Sequence, residues 1–129
     1  MKLAEKRAFV VGIPLGLAIG LGFALFISLI PESAFTESLP RTLLYATQVI
    51  AGALFALVFR PLAHLGRWDP YGLLNGAAAG AMLFDGLALG FWPSLYGHEG
   101  PALTYVAATL LWAFAWILIA NQVINRGRT

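Results

Sequence analysis

The amino-acid sequence predicts an all-α protein that crosses a membrane as a bundle of four transmembrane helices. Of its 129 residues, 60% are hydrophobic and only 11% are charged, and the mean hydropathy is +0.80. A water-soluble domain carries about 25% charged residues, so this composition excludes a soluble globule. The apolar residues fall in four long runs, and no segment alternates for long between apolar and polar residues as a half-buried strand does.

We expect one integral membrane domain over residues 1–129, because four spans of about 20 residues with short loops leave no room for a second domain. Prolines set the limits of the spans, since proline is tolerated in the first turn of a helix but stops or kinks it further in. The first run halts at Pro31, and the second opens near Pro40 and ends at Arg60, before Pro61. The predicted spans cover approximately residues 8–30, 41–60, 70–92 and 101–123.

The third and fourth spans begin with signals typical of a helix start. Asp69 supplies a carboxylate N-cap, and Pro70 follows at the first helical position. Gly100 and Pro101 open the fourth span in a similar way. The polar residues near the end of this span fit a fraying helix terminus, namely Asn121, Gln122 and Asn125.

The basic residues predict that both termini lie in the cytoplasm, because cytoplasmic segments retain an excess of Lys and Arg. Seven of the eight basic residues fall on the side of the membrane that holds the termini. They are Lys2, Lys6, Arg7, Arg60, Arg67, Arg126 and Arg128. Only Arg41 falls on the other side, where the loops carry mainly acidic residues.

Two helices carry small residues at every fourth position, a pattern that lets membrane helices approach closely. Gly12, Gly16 and Gly20 repeat in the first span, and Gly76 and Gly80 do the same in the third. We expect these residues to pack helices against each other within one four-helix monomer. Dimerisation of two chains through one of the grooves is the alternative.

Asp85 is the one acidic residue inside a predicted span, where a carboxylate costs about 2.5 to 3.5 kcal/mol near the membrane centre and usually faces the bundle interior. It lies seven residues, or about 10 Å, from the end of its span. Gln48 and Thr109 lie at the same depth in the second and fourth spans. We therefore expect a polar layer centred on Asp85, with Arg41 close enough above to reach it.

This polar layer has two interpretations. Asp85 either accepts hydrogen bonds that fix the helix register, or forms a proton or cation site in a small transporter. Near the same surface, Tyr96, His98 and Glu99 are expected to be solvated loop residues, with ion binding as the alternative.

Several classes of function are unsupported by the sequence. The chain has no cysteine, which excludes disulfides, thiolate metal sites and cysteine nucleophiles. His64 and His98 lie in loops on opposite faces of the membrane and cannot share a metal ion. The net charge of +2 is too small to indicate nucleic-acid binding. With no catalytic constellation visible, we expect no enzymatic activity, no metal and no cofactor.

The third span and the turn after it contain the segments Met82-Leu83-Phe84-Asp85-Gly86 and Phe91-Trp92-Pro93-Ser94-Leu95-Tyr96-Gly97, and the last helix contains tryptophan. This combination resembles a family of small four-helix bacterial membrane proteins of unknown function. It extends over about Leu73 to Ile119. The family has an aspartate after apolar residues in span three and an aromatic-proline turn at its end. The resemblance implies four helices and a bacterial inner membrane, and it supplies no activity.

Two functions therefore follow as hypotheses. The first is an interaction or accessory protein of the inner membrane, surrounded by the lipid bilayer and able to pair with a second copy or another membrane protein. The second is a small-solute or ion transporter or channel that uses Asp85 in the polar layer. A water-filled cavity reaching Asp85 favours the second, whereas a tightly packed bundle favours the first.

Overall fold

The computed structural model describes residues 2–126, and within this part of the chain the regular structure is entirely helical. The elements are α1 (Leu3–Ser28), α2 (Ser33–Thr36), α3 (Ser38–Gly66), α4 (Pro70–Phe91), a 3₁₀ turn (Pro93–Tyr96) and α5 (Gly100–Ile124). The four long helices α1, α3, α4 and α5 are each long and apolar enough to cross a membrane. The prediction of an all-α chain with four long apolar helices is confirmed, and these helices indicate a multi-pass membrane protein.

The chain reverses direction at each connection, so α1 runs parallel to α4 and α3 runs parallel to α5. We call the end of the bundle where α1 begins and α5 ends the terminal end, and the end that holds α2 and the 3₁₀ turn the turn end. The two most extensive helix contacts are those of α1 with α4 and of α3 with α5. Helix α4 is the most buried of the four, and it also contacts α3 and α5.

The contact between α1 and α4 is built from glycines. A Cβ atom added at Gly12 would overlap the Leu73 carbonyl, and one added at Gly16 would overlap the Ala77 carbonyl. Farther along α1, Gly20 lies against the side chain of Phe84. The two backbones are therefore close enough for dispersion contacts along their length, which is how small residues hold membrane helices together.

The glycines of α4 likewise lie against backbone carbonyls of α1. Gly76 faces the carbonyl of Phe9, just as Gly12 faces the carbonyl of Leu73. Phe9 and Leu73 are 64 residues apart in the sequence, and so are Gly12 and Gly76. Each contact of an α1 glycine with an α4 carbonyl therefore has a counterpart in which the equivalent α4 glycine contacts the equivalent α1 carbonyl. The next turn repeats this relation with Gly16, Ala77, Ile13 and Gly80. The pair thus has an approximate two-fold symmetry, and its glycine surfaces are already occupied within one chain.

The helices α3 and α5 also meet at a glycine, which the sequence pattern did not single out. A Cβ atom at Gly52 would lie 2.8 Å from the Trp116 carbonyl carbon and oxygen. The Trp112 indole N–H donates a hydrogen bond to the Tyr45 carbonyl at 2.9 Å. A backbone contact and a side-chain hydrogen bond therefore fix α3 against α5.

The predicted end of the second span at Arg60 is wrong for the helix, because α3 continues through Pro61 to Gly66. Proline lacks one backbone N–H and so leaves the Leu57 carbonyl without its usual helical partner, but the remaining hydrogen bonds of the helix can still form. The helix ends where Arg67 adopts the left-handed conformation, with φ 57° and ψ 37°. A left-handed residue at this position is a common helix terminator.

The remaining helix limits lie near the predicted ones. Helix α1 begins earlier than the predicted span, at Leu3, and its last residue is Ser28. The N-cap predicted for the third span is confirmed, since the Asp69 carboxylate accepts a hydrogen bond from the Gly72 N–H at 2.8 Å. Pro70 follows at the start of α4, where its missing N–H needs no helical partner.

Candidate functional site

Asp85 lies in the turn-end half of α4 with only 5% of its surface exposed. Its Oδ1 accepts a hydrogen bond from the Tyr96 hydroxyl at 2.5 Å. Tyr96 belongs to the 3₁₀ turn that directly follows α4, and its side chain is fully buried. The second carboxylate oxygen, Oδ2, is buried and has no hydrogen-bond partner among residues 2–126. The carboxylate is thus held by the turn next to its own helix.

Tyr96 is a residue whose role the sequence analysis missed. Burial raises the pKa of Tyr96, and the neighbouring Asp85 raises it further, so its hydroxyl stays protonated and donates. The sequence signal was the proline and glycine on either side of this segment: Pro93 begins the 3₁₀ turn, and Gly97, with a φ of 73°, directly follows its last residue. A reversal of this kind brings a residue beyond the helix end back against the helix.

Arg41 does not meet Asp85, and the prediction that it reaches the carboxylate is wrong. Its guanidinium donates to the carbonyls of Phe35 at 3.0 Å and Thr36 at 3.4 Å. It also lies over the ring of Tyr105, with 4.1 Å between its central carbon and the ring centroid. The short helix α2 precedes Arg41 and presents carbonyl groups close to it, which the sequence analysis treated as loop.

Gln48 and Thr109 do come together, in a cavity of about 200 Å³ bounded by α1, α3 and α5. The Thr109 hydroxyl donates to the carbonyl of Tyr105 in its own helix at 2.8 Å. Asp85 does not line this cavity. Of the four residues of the expected layer, two share a site, and Asp85 and Arg41 lie elsewhere.

The difference has a simple geometric cause. Counting seven residues along each helix predicts depth, but the neighbours of a side chain also depend on how each helix is rotated about its axis. Asp85 faces the 3₁₀ turn, whereas Gln48 and Thr109 face the cavity. Depth and helix count were available from the sequence, and rotation was not.

The turn end holds a second buried polar contact. His98 is 7% exposed, and its Nε2–H donates to the Ile27 carbonyl at 3.0 Å. Its ring meets the fully buried ring of Phe35 edge to face, with 4.9 Å between the centroids. The expectation of solvated loop residues is therefore wrong for Tyr96 and His98, and it holds only for the exposed Glu99.

A polar crevice of about 530 Å³ opens beside this contact. Its polar lining comes from Ser28, Glu32, Ser94, His98 and Glu99. Within residues 2–126, no three His, Cys, Asp or Glu side chains are grouped so as to hold a metal ion. The crevice therefore offers scattered polar groups without a ligand set.

The terminal end contains a buried asparagine cluster, contrary to the expectation of a fraying helix. The Asn121 amide donates to the Tyr71 carbonyl at 3.0 Å and to the Asn75 side-chain oxygen at 2.8 Å. The Asn125 amide donates to the Asn121 side-chain oxygen and to the Ala56 carbonyl, both at 2.9 Å. Because Asn121 and Asn125 are fully buried, the cluster ties α3, α4 and the end of α5 together.

No family model, curated protein or solved structure matches this chain. The polar features are the Asp85–Tyr96 pair, the His98 contact and the asparagine cluster, and each hydrogen-bonds largely within the bundle. The cavity that contains Gln48 and Thr109 is, by contrast, lined mostly by apolar side chains.

Proposed function

We propose that the chain is an interaction or accessory protein of the bacterial inner membrane, with both termini in the cytoplasm and no enzymatic activity. The observation that carries the proposal is the burial of Asp85 away from both cavities. A carboxylate that moves a proton or cation across a membrane needs access to water on each side in turn. Asp85 is buried, bonded to Tyr96, and lines neither the apolar cavity nor the polar crevice.

The close packing around this pair supports the same conclusion. Helix α4, which carries Asp85, is fixed to α1 by backbone contacts at Gly76 and Gly80. The asparagine cluster fixes α4 to α3 and α5 at the terminal end. A helix held on two sides is suited to a rigid scaffold, since alternating access requires one part of the bundle to rock against another.

The orientation rests on the basic residues, and the bacterial inner membrane rests on the family resemblance over Leu73 to Ile119. The lipid bilayer surrounds such a protein, and exposed apolar side chains are available to a membrane-protein partner or a second copy. Leu111 of α5 and Val123 near its end are each more than 70% exposed. These outward-facing positions are the natural places to look for a partner.

A transporter or channel for a small solute or ion remains the second candidate, on one specific observation. The Asp85 Oδ2 atom is buried and finds no partner within residues 2–126, and a buried acceptor of this kind is able to take a proton or a cation. In this alternative, Tyr96 holds one oxygen while the other oxygen exchanges the ion.

Proton flux separates the two candidates. The purified protein is reconstituted in liposomes that contain a pH-sensitive dye, and flux under a pH gradient is compared with empty liposomes and with Asp85→Asn. We expect the wild type and the variant to match empty liposomes. Flux in the wild type that disappears in Asp85→Asn would contradict the proposal and support transport.

A photo-crosslinking amino acid at Leu111 tests the interaction itself. In living cells we expect a discrete adduct of higher mass that contains another membrane protein or a second copy. The same amino acid at the buried Leu110 is the matched control, since it faces the core and should give no intermolecular adduct. Adducts to lipid alone at Leu111, and at other outward positions, would refute an accessory role.

A further inference from the structure

The apolar cavity has a definite shape within the bundle. It lies between α1 and α3, beside α5. One end is closed where Phe23 of α1 meets Phe55 of α3 edge to face, with 5.5 Å between the ring centroids. Phe26 also lines the cavity and is 63% exposed, so the space reaches the outer surface of the bundle there. A molecule dissolved in the bilayer can therefore reach the cavity from the side.

The walls are apolar except for two side chains. Five phenylalanines line the space, namely Phe23, Phe26, Phe35, Phe55 and Phe114. The Thr109 hydroxyl hydrogen is already donated to the Tyr105 carbonyl. Gln48 is half-buried, and within residues 2–126 none of the side-chain hydrogen bonds involves its amide. It is therefore the N–H donor left available to a ligand in this cavity.

An amide in apolar surroundings gains free energy when it finds a hydrogen-bond acceptor. Gln48 lies seven residues beyond Arg41 along α3, which is about 10 Å below the level of that cation. The ester oxygens of a phospholipid stay at the headgroup, near the level of Arg41 in the proposed membrane placement. An acceptor oxygen at the level of Gln48 thus belongs to a molecule dissolved in the hydrocarbon layer.

We propose that this cavity binds a bilayer-soluble apolar molecule whose single carbonyl or hydroxyl oxygen accepts a hydrogen bond from the Gln48 amide. The phenylalanines enclose the apolar body of the ligand, which is how pockets for small molecules usually divide their chemistry. The inference rests on the membrane placement proposed above, and it is independent of the role given to Asp85.

Benzophenone is a suitable probe because it is apolar, carries one carbonyl oxygen and attaches to nearby C–H bonds under near-ultraviolet light. The full-length protein in lipid nanodiscs is irradiated with it, and the modified residues are located by mass spectrometry. We expect adducts concentrated on residues that line the cavity. Ala113→Leu narrows the cavity and should lower this labelling about tenfold, whereas Ala115→Leu, on the exposed face of the same helix, should not change it.

The Gln48→Leu variant tests the hydrogen bond separately, because leucine nearly keeps the size of glutamine and removes the donor. We expect benzophenone to bind about five- to tenfold more weakly to this variant. Diphenylmethane lacks the carbonyl, so its own affinity, measured by competition with the labelling, should be the same for the wild type and the variant. Labelling spread over lipid-facing residues, or undiminished by both Ala113→Leu and Gln48→Leu, would overturn the proposal whatever the outcome of the flux and crosslinking experiments.

Discussion

The Asp85–Tyr96 hydrogen bond gives the sharpest test of how this bundle is held together, through the substitution Tyr96→Phe. The ring remains and only the hydroxyl is lost. Tyr96 is fully buried and Asp85 is 5% exposed, so water cannot replace the missing donor. Since Asp85 Oδ2 already lacks a partner among the described residues, the variant leaves both carboxylate oxygens unsatisfied there.

The expected magnitude follows from these contacts. Leaving a buried acceptor without its partner costs about 1 to 3 kcal/mol. At about 1.4 kcal/mol for each factor of ten, this lowers the folding equilibrium constant about 5- to 150-fold. The free energy of unfolding is measured by reversible titration of the purified protein with a denaturing detergent, followed by tryptophan fluorescence.

A double-mutant cycle isolates the interaction. In an Asp85→Leu background the buried Tyr96 hydroxyl has lost this acceptor, so we expect Tyr96→Phe to lower the free energy of unfolding by less than about 0.5 kcal/mol or to raise it. Equal losses in the two backgrounds, or a loss below that value in the wild type, would show that the hydroxyl contributes nothing through Asp85.

Three further predictions concern packing, the asparagine cluster and orientation. Gly16→Ala should destabilise the fold by about 1 to 3 kcal/mol because its Cβ overlaps a backbone carbonyl of α4, whereas Gly22→Ala, which meets open space, should be neutral or stabilising in the same titration. Asn125→Ala should cost about 1 to 3 kcal/mol through two lost hydrogen bonds, and equal stability would contradict the proposed role of the cluster. In this cysteine-free chain, a membrane-impermeant maleimide added to whole cells should label Ser94→Cys but reach His64→Cys only after the membrane is opened; the reverse pattern would invert the orientation.

The long helices were predictable because apolar run length and proline position are properties of the chain alone. Asp69 and Pro70 mark the start of α4 by local chemistry, and the structure has the predicted N-cap bond there. Pro61 shows the limit of that reasoning. Proline removes one hydrogen bond, and whether the helix stops depends on the contacts of the residues beyond it, such as the fully buried Ala63.

The candidate site was less predictable because it, too, depends on contacts that local sequence does not reveal. The sequence indicates that Asp85 must avoid lipid, and its burial agrees with that expectation. It does not indicate which partner the carboxylate finds, since Tyr96 reaches it only through the fold of the 3₁₀ turn. Asn125 is a similar case, because the sequence does not show which groups of the neighbouring helix lie beside a polar residue near a helix end. In the structure its amide donates to the Ala56 carbonyl of α3.

The approximate two-fold symmetry of the glycine contacts between α1 and α4 bears on how the bundle assembles. Each half of the chain is a hairpin of two long helices, and the symmetric glycine surface is the type by which separate parallel helices dimerise. The connection from α3 to α4 turns that pairing into an intramolecular event, so it does not depend on how many molecules the membrane contains. Because the two hairpins belong to one chain, their sequences can also differ from each other. The position in α1 that is equivalent to Asp85, 64 residues earlier, is Leu21. A homodimer of identical hairpins would have to bury two aspartates, whereas this single chain buries one.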